Sequence, residues 1–327
     1  MTGRLLASRE APVALALVVV VVGTTLVNPR FLSAQGRTDL MVAIAITALM
    51  AVGQTFVILM KHVDLSVGST LGLSAYLAAT AVQDQQDGGV LTVLMVGLVV
   101  GVAVGVVNGA LVAFLRLPAL VVTLGTLYVV KGIQAVVVGP RRINADQLPG
   151  AVVDFGRDSV LGVPYILWLA LLAGVAGAWF LRTVRTGRDL YAVGSNGPAA
   201  RLVGIPVWRR EMFAFVVSGA TAGLAGALYL ARFGGVDANA GSGYELPVVA
   251  ACVVGGVAIT GGVGTVIGAL LGAALLKTIG VSLSALSVPE FWQQAVNGAL
   301  LLLAIAVDKV IADRRLRQTT EVQEVPA

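Results

Sequence analysis

Residues 61–70 read KHVDLSVGST. The segment gathers a cation, an imidazole, a carboxylate and three hydroxyls, and it lies between two long apolar runs. Residues of these types can do three kinds of work. Lys61, His62 and Asp64 could exchange protons or pair charges. Asp64 could start a helix, because a carboxylate suits the free amides of a helix N-terminus. Ser66 and Ser69 could hydrogen-bond a neutral polar solute. Acid–base catalysis lacks its partners: the chain shows no paired carboxylates, no nucleophile elbow and no metal-ligand spacing, and its one histidine, His62, cannot form a histidine cluster. His62 therefore reads first as an interfacial residue, and Asp64 first as a helix cap and second as a gating group.

The elements that position this segment follow from composition. Of 327 residues, 57% are hydrophobic and 12% charged, where a soluble domain carries about 25% charged residues. Apolar runs near the ~20 residues needed to cross a bilayer recur along the chain. Continuous runs, not short alternating ones, exclude a barrel, so the fold class is an all-α polytopic membrane protein in a single transmembrane domain. Ten spans are expected, near 11–27, 40–60, 65–82, 90–115, 118–138, 163–181, 212–231, 246–260, 264–283 and 291–308, with residues 1–10 and 309–327 as flanking segments. The first run is read as a span and not a cleaved signal, since no A-x-A site follows it. Cys252, the single cysteine, excludes an intrachain disulfide and reads as a packing residue.

Lys and Arg set the orientation. With the N-terminus inside, the cytoplasmic side takes most of the 22 basic residues, six of them arginines between 182 and 210. The outside takes Arg30, Arg37, Arg141, Arg142, Arg157 and Arg232. Both termini then lie in the cytoplasm. Lys131 and Lys277 fall within spans, at a depth from which a long side chain can snorkel to the headgroups. Basic residues spread among loops do not make a nucleic-acid surface.

The opening segment recurs. VDLSVGS at 63–69 is matched by VDANAGS at 236–242 in Val, Asp, Gly and Ser. The second copy comes five spans later and so on the opposite side, the pattern of two inverted five-helix halves. The 40 glycines, in runs such as GLVVGVAVGVVNG, predict close backbone packing between helices.

Residues 182–211 form the longest cytoplasmic loop, too long and too patterned for a mere connection. Ser195 or Asn196 can cap a short helix there, Pro198 fits its first turn, and Pro206 ends it. Such a helix is either a membrane-surface element or a docking element for a cytoplasmic partner. No Gly-Lys dipeptide, and so no phosphate-binding loop of the Walker type, occurs in the chain. Asp64, Asp237, Glu245 and Asp308 are all expected at span edges, which leaves no acidic relay inside the membrane and argues against a proton-driven carrier. Energy for any uphill transport must then come from elsewhere.

Four ordered blocks carry a resemblance: HVDLSVGSTLGLSAYLAA, LPALVVTLGTLYVVKGI, TGRDLYAVGSNGPAARLVGI and VDANAGSGYELPVVAACVVGGVAITGGVGTVIGALLGA. Together, over residues 40–308, the chain resembles the permease subunits of bacterial ribose-type sugar ABC importers. Family members carry Gly-Ile where this chain has His62-Val63, while Ser66-Val67-Gly68-Ser69 favours the sugar branch. The resemblance implies a multi-pass protein of the bacterial inner membrane with no enzymatic site of its own. It also implies a second permease subunit, identical or not, a periplasmic sugar-binding protein, and a cytoplasmic ATPase that binds the ATP and Mg. Gly187, Asn196, Ala200, Arg201, Leu202, Gly204 and Ile205 would form the ATPase-coupling element. For a monosaccharide path the candidates are Ser66, Ser69, Thr123, Thr126 and Tyr128, although their hydroxyls equally suit helix packing. Asp64 and Asp237 would cap helices or gate. Arg141, Arg142, Glu245 and Glu290 would meet the binding protein or remain plain surface charge. The alternative is an ATP-independent carrier or channel for a small polar solute.

Overall fold

A computed structural model describes residues 10–83, 89–139 and 142–289, with part of 291–306. The long apolar segments are helical because a helix satisfies its own backbone groups in lipid. They are α1 (Glu10–Val27), α2 (Ala34–Leu59), α3 (Val67–Val82), α4 (Val90–Ala113) and α5 (Ala119–Val138), then a short outer helix α6 (Gly150–Arg157). A two-residue hairpin, Ser159–Val160 with Val163–Pro164, leads into α7 (Tyr165–Thr183). The helix pair α8 (Arg185–Ser195) and α9 (Gly197–Leu202) precedes α10 (Val207–Phe233), α11 (Glu245–Val254) and α12 (Val266–Ala285). Ser33 and Thr265 cap α2 and α12 through their hydroxyls, and prolines 118, 164 and 206 stand at the N-caps of α5, α7 and α10.

Among the described residues seven helices are long and apolar enough to span a membrane: α1, α2, α4, α5, α7, α10 and α12. The third and eighth expected spans are the shorter helices α3 and α11. Helix α3 begins inside the first copy of the VDxxxGS segment and α11 follows the second, so each copy takes up part of the length a full span would need. The expected tenth span, 291–308, is only partly described, and residues 1–9 and 309–327 lie outside the described residues.

Helix α10 is the centre of the bundle and packs on α2, α3 and α4. Its approach to α4 is a backbone contact. A Cβ added to Gly101 would lie 2.8 Å from the Gly223 Cα, and one added to Gly219 would lie 2.9 Å from the Gly105 Cα. Only glycine permits that separation, and the gain is close van der Waals packing that lipid tails cannot match. The packing order repeats between halves: α4 lies on α10 as α12 lies on α2, and α3 packs on α4 as α11 packs on α12. The same pairing in both halves fits an internal repeat.

Glycine is not equally constrained everywhere, which gives a direct test. Gly125 on α5 has open space around it. Gly101→Val should lower stability by about 3 kcal/mol, the upper part of the range for overpacking, while Gly125→Val should stay near wild type. Thermal melts followed by size-exclusion chromatography would separate the two.

Candidate functional site

The first VDxxxGS copy does not lie in an exposed cytoplasmic turn. Asp64 is 1% exposed and sits among α2, α3, α4 and α10. Its Oδ1 accepts from the Ser66 N–H at 2.9 Å and the Ser66 hydroxyl at 2.6 Å, and its Oδ2 accepts from the Ser218 hydroxyl of α10 at 2.8 Å. Asn108 of α4 donates to the Ser66 Oγ at 2.8 Å. Gln54 of α2, with its amide turned to satisfy both atoms, accepts from the Asp64 N–H at 3.1 Å and donates to its carbonyl at 3.2 Å. Asn108 stands five residues from the end of α4, about 8 Å inside at 1.5 Å per residue. Asp64, expected at a span edge, is thus buried among four helices. Its partners are uncharged hydroxyls and amides scattered over distant segments, so the chain order around 61–70 did not reveal them.

Nor does Asp64 cap a helix: the N-cap of α3 is Ser66, and Asp64 closes an Asx turn two residues earlier. Asp237 closes the same turn, accepting from the Asn239 N–H at 2.9 Å, and it too caps nothing. The two copies share local geometry and they meet. A Cβ on Gly68 would lie 2.7 Å from the carbonyl oxygen of Gly241, its counterpart in the repeat. Gln134 of α5 braces the second copy by donating to the Ala240 carbonyl at 3.2 Å.

Between α7 and α10, α8 and α9 form a braced handle. Asn196 caps α9 by accepting from the Ala199 N–H at 3.1 Å. The Ile205 N–H donates to the Ala200 carbonyl and the Gly204 N–H to the Arg201 carbonyl, each at 3.0 Å, with Gly204 at φ +81°. That pair of bonds is a Schellman motif, which needs the left-handed residue that glycine supplies. Ala200 is buried, whereas Leu202 and Val203 are 90% and 75% exposed. The base of the handle is fixed at several points. Asp189 accepts two bonds from Arg210 at 2.8 and 3.0 Å, tying α8 to α10. Gly187 is buried with its Cβ position 2.7 Å from the Leu181 Cα, and Gly194 packs on the Leu59 carbonyl at the end of α2. The Tyr191 hydroxyl donates to the Gly264 carbonyl at 2.9 Å; burial pushes its phenol above the usual range, which keeps it a donor.

A family model described as branched-chain amino acid transport system / permease component matches residues 36–305. The chain belongs to this permease family. It is 37% identical over 314 residues, 96% of this chain and 89% of the other, to the autoinducer 2 import system permease protein LsrC of Klebsiella pneumoniae subsp. pneumoniae. The LsrC proteins of Salmonella typhimurium and Yersinia pseudotuberculosis are 36% and 34% identical, over 92% and 95% of this chain and 86% and 88% of theirs. The chain is thus the membrane permease subunit of an ABC-type importer, a multi-pass inner-membrane protein that forms the translocation path. A permease of this kind works with a binding protein and an ATPase.

Within this permease the proposed path residues separate. Ser66, Ser69 and Thr123 are buried; Ser69 donates to the Ser66 carbonyl at 2.9 Å and Thr123 to the Val63 carbonyl at 3.1 Å. Thr126 is half-buried in an apolar groove beside α4. Tyr128 is 68% exposed, midway along α5. Of the outer charges, Arg141 and Glu290 lie outside the described residues. Arg142 lines an outer cavity of about 320 Å³ with Tyr76, Thr80 and Gln83. Glu245 is half-buried and accepts from the Gly243 N–H at 3.1 Å, so it braces its own turn. Lys277 does not snorkel: its Nζ lies 4.7 Å from the Tyr244 ring centroid. His62 faces Glu211 at 3.5 Å and stacks on Phe215. Cys252 is fully buried, as a packing residue should be.

Asp64→Ala would strand the Ser66 N–H and the Ser218 hydroxyl without an acceptor. It should cost about 3 kcal/mol, since an orphaned buried group costs 1–3 kcal/mol. Asp64→Asn keeps an acceptor toward Ser66 and should cost clearly less. Melting temperatures of the two variants in the same detergent check the order.

Proposed function

We propose that this permease carries a neutral, hydroxyl-bearing solute of monosaccharide size into the cytoplasm, and that a separate ATPase supplies the work by gripping α9. The observation that carries the reading is the tip of the handle. Leu202 and Val203 expose apolar side chains at the end of α9, and the adjoining α8 is hydrogen-bonded to α10 and packed against the end of α2. Exposed apolar groups on a rigid cytoplasmic helix fit a groove in a partner, and a braced base transmits force. ATP and Mg would be held by that partner. Both termini and the handle share the cytoplasmic side, in keeping with the arginines of 182–210.

The path, in this proposal, runs along the open face of α5 between two permease copies. A phenol at mid-span is far from the headgroup belts where tyrosine satisfies its hydroxyl, so Tyr128 suits a polar path better than a lipid face. Ser66, Ser69 and Thr123 then form the wall behind it, and Asp64 with Asp237 hold the two repeat turns between which the halves shift. A zwitterionic amino acid would ask for a carboxylate opposite its ammonium group, and α5 carries none. Autoinducer 2, named for the relatives, and ribose are the first cargoes to assay. Asp64 offers a carrier no relay, because its oxygens already accept three hydrogen bonds. A binding protein delivers the solute to the outer mouth near Arg142.

The test is solute-stimulated ATP hydrolysis by the reconstituted importer. Autoinducer 2 or ribose should stimulate it and leucine should not. Replacing Leu202 and Val203 by Asp should abolish stimulation while the permease stays folded. Unchanged stimulation in that variant, or uphill accumulation by the permease alone, would overturn the proposal.

A further inference from the structure

At the cytoplasmic ends of the spans a cavity of about 830 Å³ opens between the turns 60–63 and 112–120 and the segment 201–211. Lys61, Arg116 and Arg201 line it, with Trp208 and Leu117 as apolar wall. Its one carboxylate, Glu211, faces His62. Among the described residues neither Arg116 nor Arg201 has an acidic side chain within ion-pair distance. Two of the three cations also stand on unusual backbone, Lys61 at φ +66° and Arg116 at φ +55°. Glycine holds such a conformation more easily, so these positions keep a long basic side chain at a conformational cost. The long helices α5 and α10 both begin at the cavity, through Pro118–Ala119 and Pro206–Val207, and add the partial positive charge of their first amides.

The cavity does not end in the cytoplasm. It shares Leu117 with an apolar groove of about 550 Å³ that runs up between α4 and α5, past Val107, Val121, Val129 and Ile133. A basic chamber at headgroup level continued by an apolar channel at acyl depth has the polarity of one amphiphile. We infer that it binds an anionic phospholipid, with the phosphate against Lys61, Arg116 and Arg201 and an acyl chain in the α4–α5 groove. Charge complementarity selects the anionic headgroup, and the continuous groove selects a lipid over a soluble anion. The lipid would fill the space directly beneath α9, between the handle and the turn that leads to Asp64. Membrane composition would thereby tune transport. The groove includes Thr126 of α5, so this inference rests on the cargo passing along the Tyr128 side of that helix, and its test leaves α9 untouched.

Native mass spectrometry of the delipidated full-length permease, titrated with phosphatidylglycerol and with phosphatidylcholine, reads the site directly. Phosphatidylglycerol should bind more tightly. Lys61→Gly with Arg116→Gly removes both charges and relaxes the backbone, so the fold is kept. It should weaken phosphatidylglycerol binding roughly thirtyfold, about fivefold per cation at a membrane surface, and leave phosphatidylcholine unchanged. Val107→Trp, which fills the groove, should weaken both lipids. Equal binding of the two lipids overturns the proposal. So does displacement of phosphatidylglycerol by inorganic phosphate, which would mark a soluble-anion site, or release of the lipid when two permeases associate, which would assign the groove to a second copy.

Discussion

A carboxylate inside a helical bundle must be hydrogen-bonded or it destabilises the fold by several kcal/mol. Asp64 imposes this constraint, and the architecture around it follows. Its donors come from its own turn and from α10, while Asn108 and Gln54 bring in α4 and α2. The start of α3 is therefore held by three other helices, which lets the chain begin that helix inside the bundle and keeps α3 short. Among the described residues the second copy of the segment repeats the turn without a comparable side-chain ring around Asp237, and rests instead on Gln134 and on the glycine contact with the first. One junction is tied by side chains and its counterpart by backbone. The two halves meet where the two kinds of tie adjoin.

That junction is mechanically connected to the cytoplasm. Arg210 binds Asp189 in the handle, and Ser218 binds Asp64 in the core, both from the same helix. They are eight residues apart on α10, about 12 Å along a rigid rod. A displacement of α8 and α9 thus has a short covalent route to the buried carboxylate. A second route runs through the end of α2, where Gly194 packs on Leu59 and Gln54 lies about a turn deeper. The glycine-on-glycine crossing of α4 and α10 keeps those helices in register. Motion then passes along α10 and is not lost in sliding between neighbours.

What could be read from the sequence were the features with local causes. Runs of Leu, Val and Ala located the spans, because length and apolarity alone decide crossing. Asn196, Pro198 and Pro206 located α9 and its ends, because capping chemistry acts within a few residues, whereas the Gly204 cap emerged from the structure. The repeat was legible in four matched residues. Invisible were the features made by residues distant in the chain. Ser218 and Asn108 look like ordinary small polar residues in apolar runs, and only folding brings them to Asp64. The same holds for Asp189 with Arg210, and for Lys277 over Tyr244. Sequence order placed Asp64 at a span edge because it follows Lys61 and His62, yet three residues suffice to turn from headgroup level into the bundle.

The central claim is that work applied at α9 reaches the Asp64 junction along α10. Spin labels at Val203 and at the far end of α3, near Val82, would report the distance between the handle and α3 in the complex with its ATPase. Coupling predicts that nucleotide binding changes this distance, and that Ser218→Ala, which cuts the α10 tie to Asp64, leaves the handle moving while the motion of α3 shrinks to what the α2 route carries. If α3 moves equally in the Ser218→Ala permease, the route through α10 is wrong.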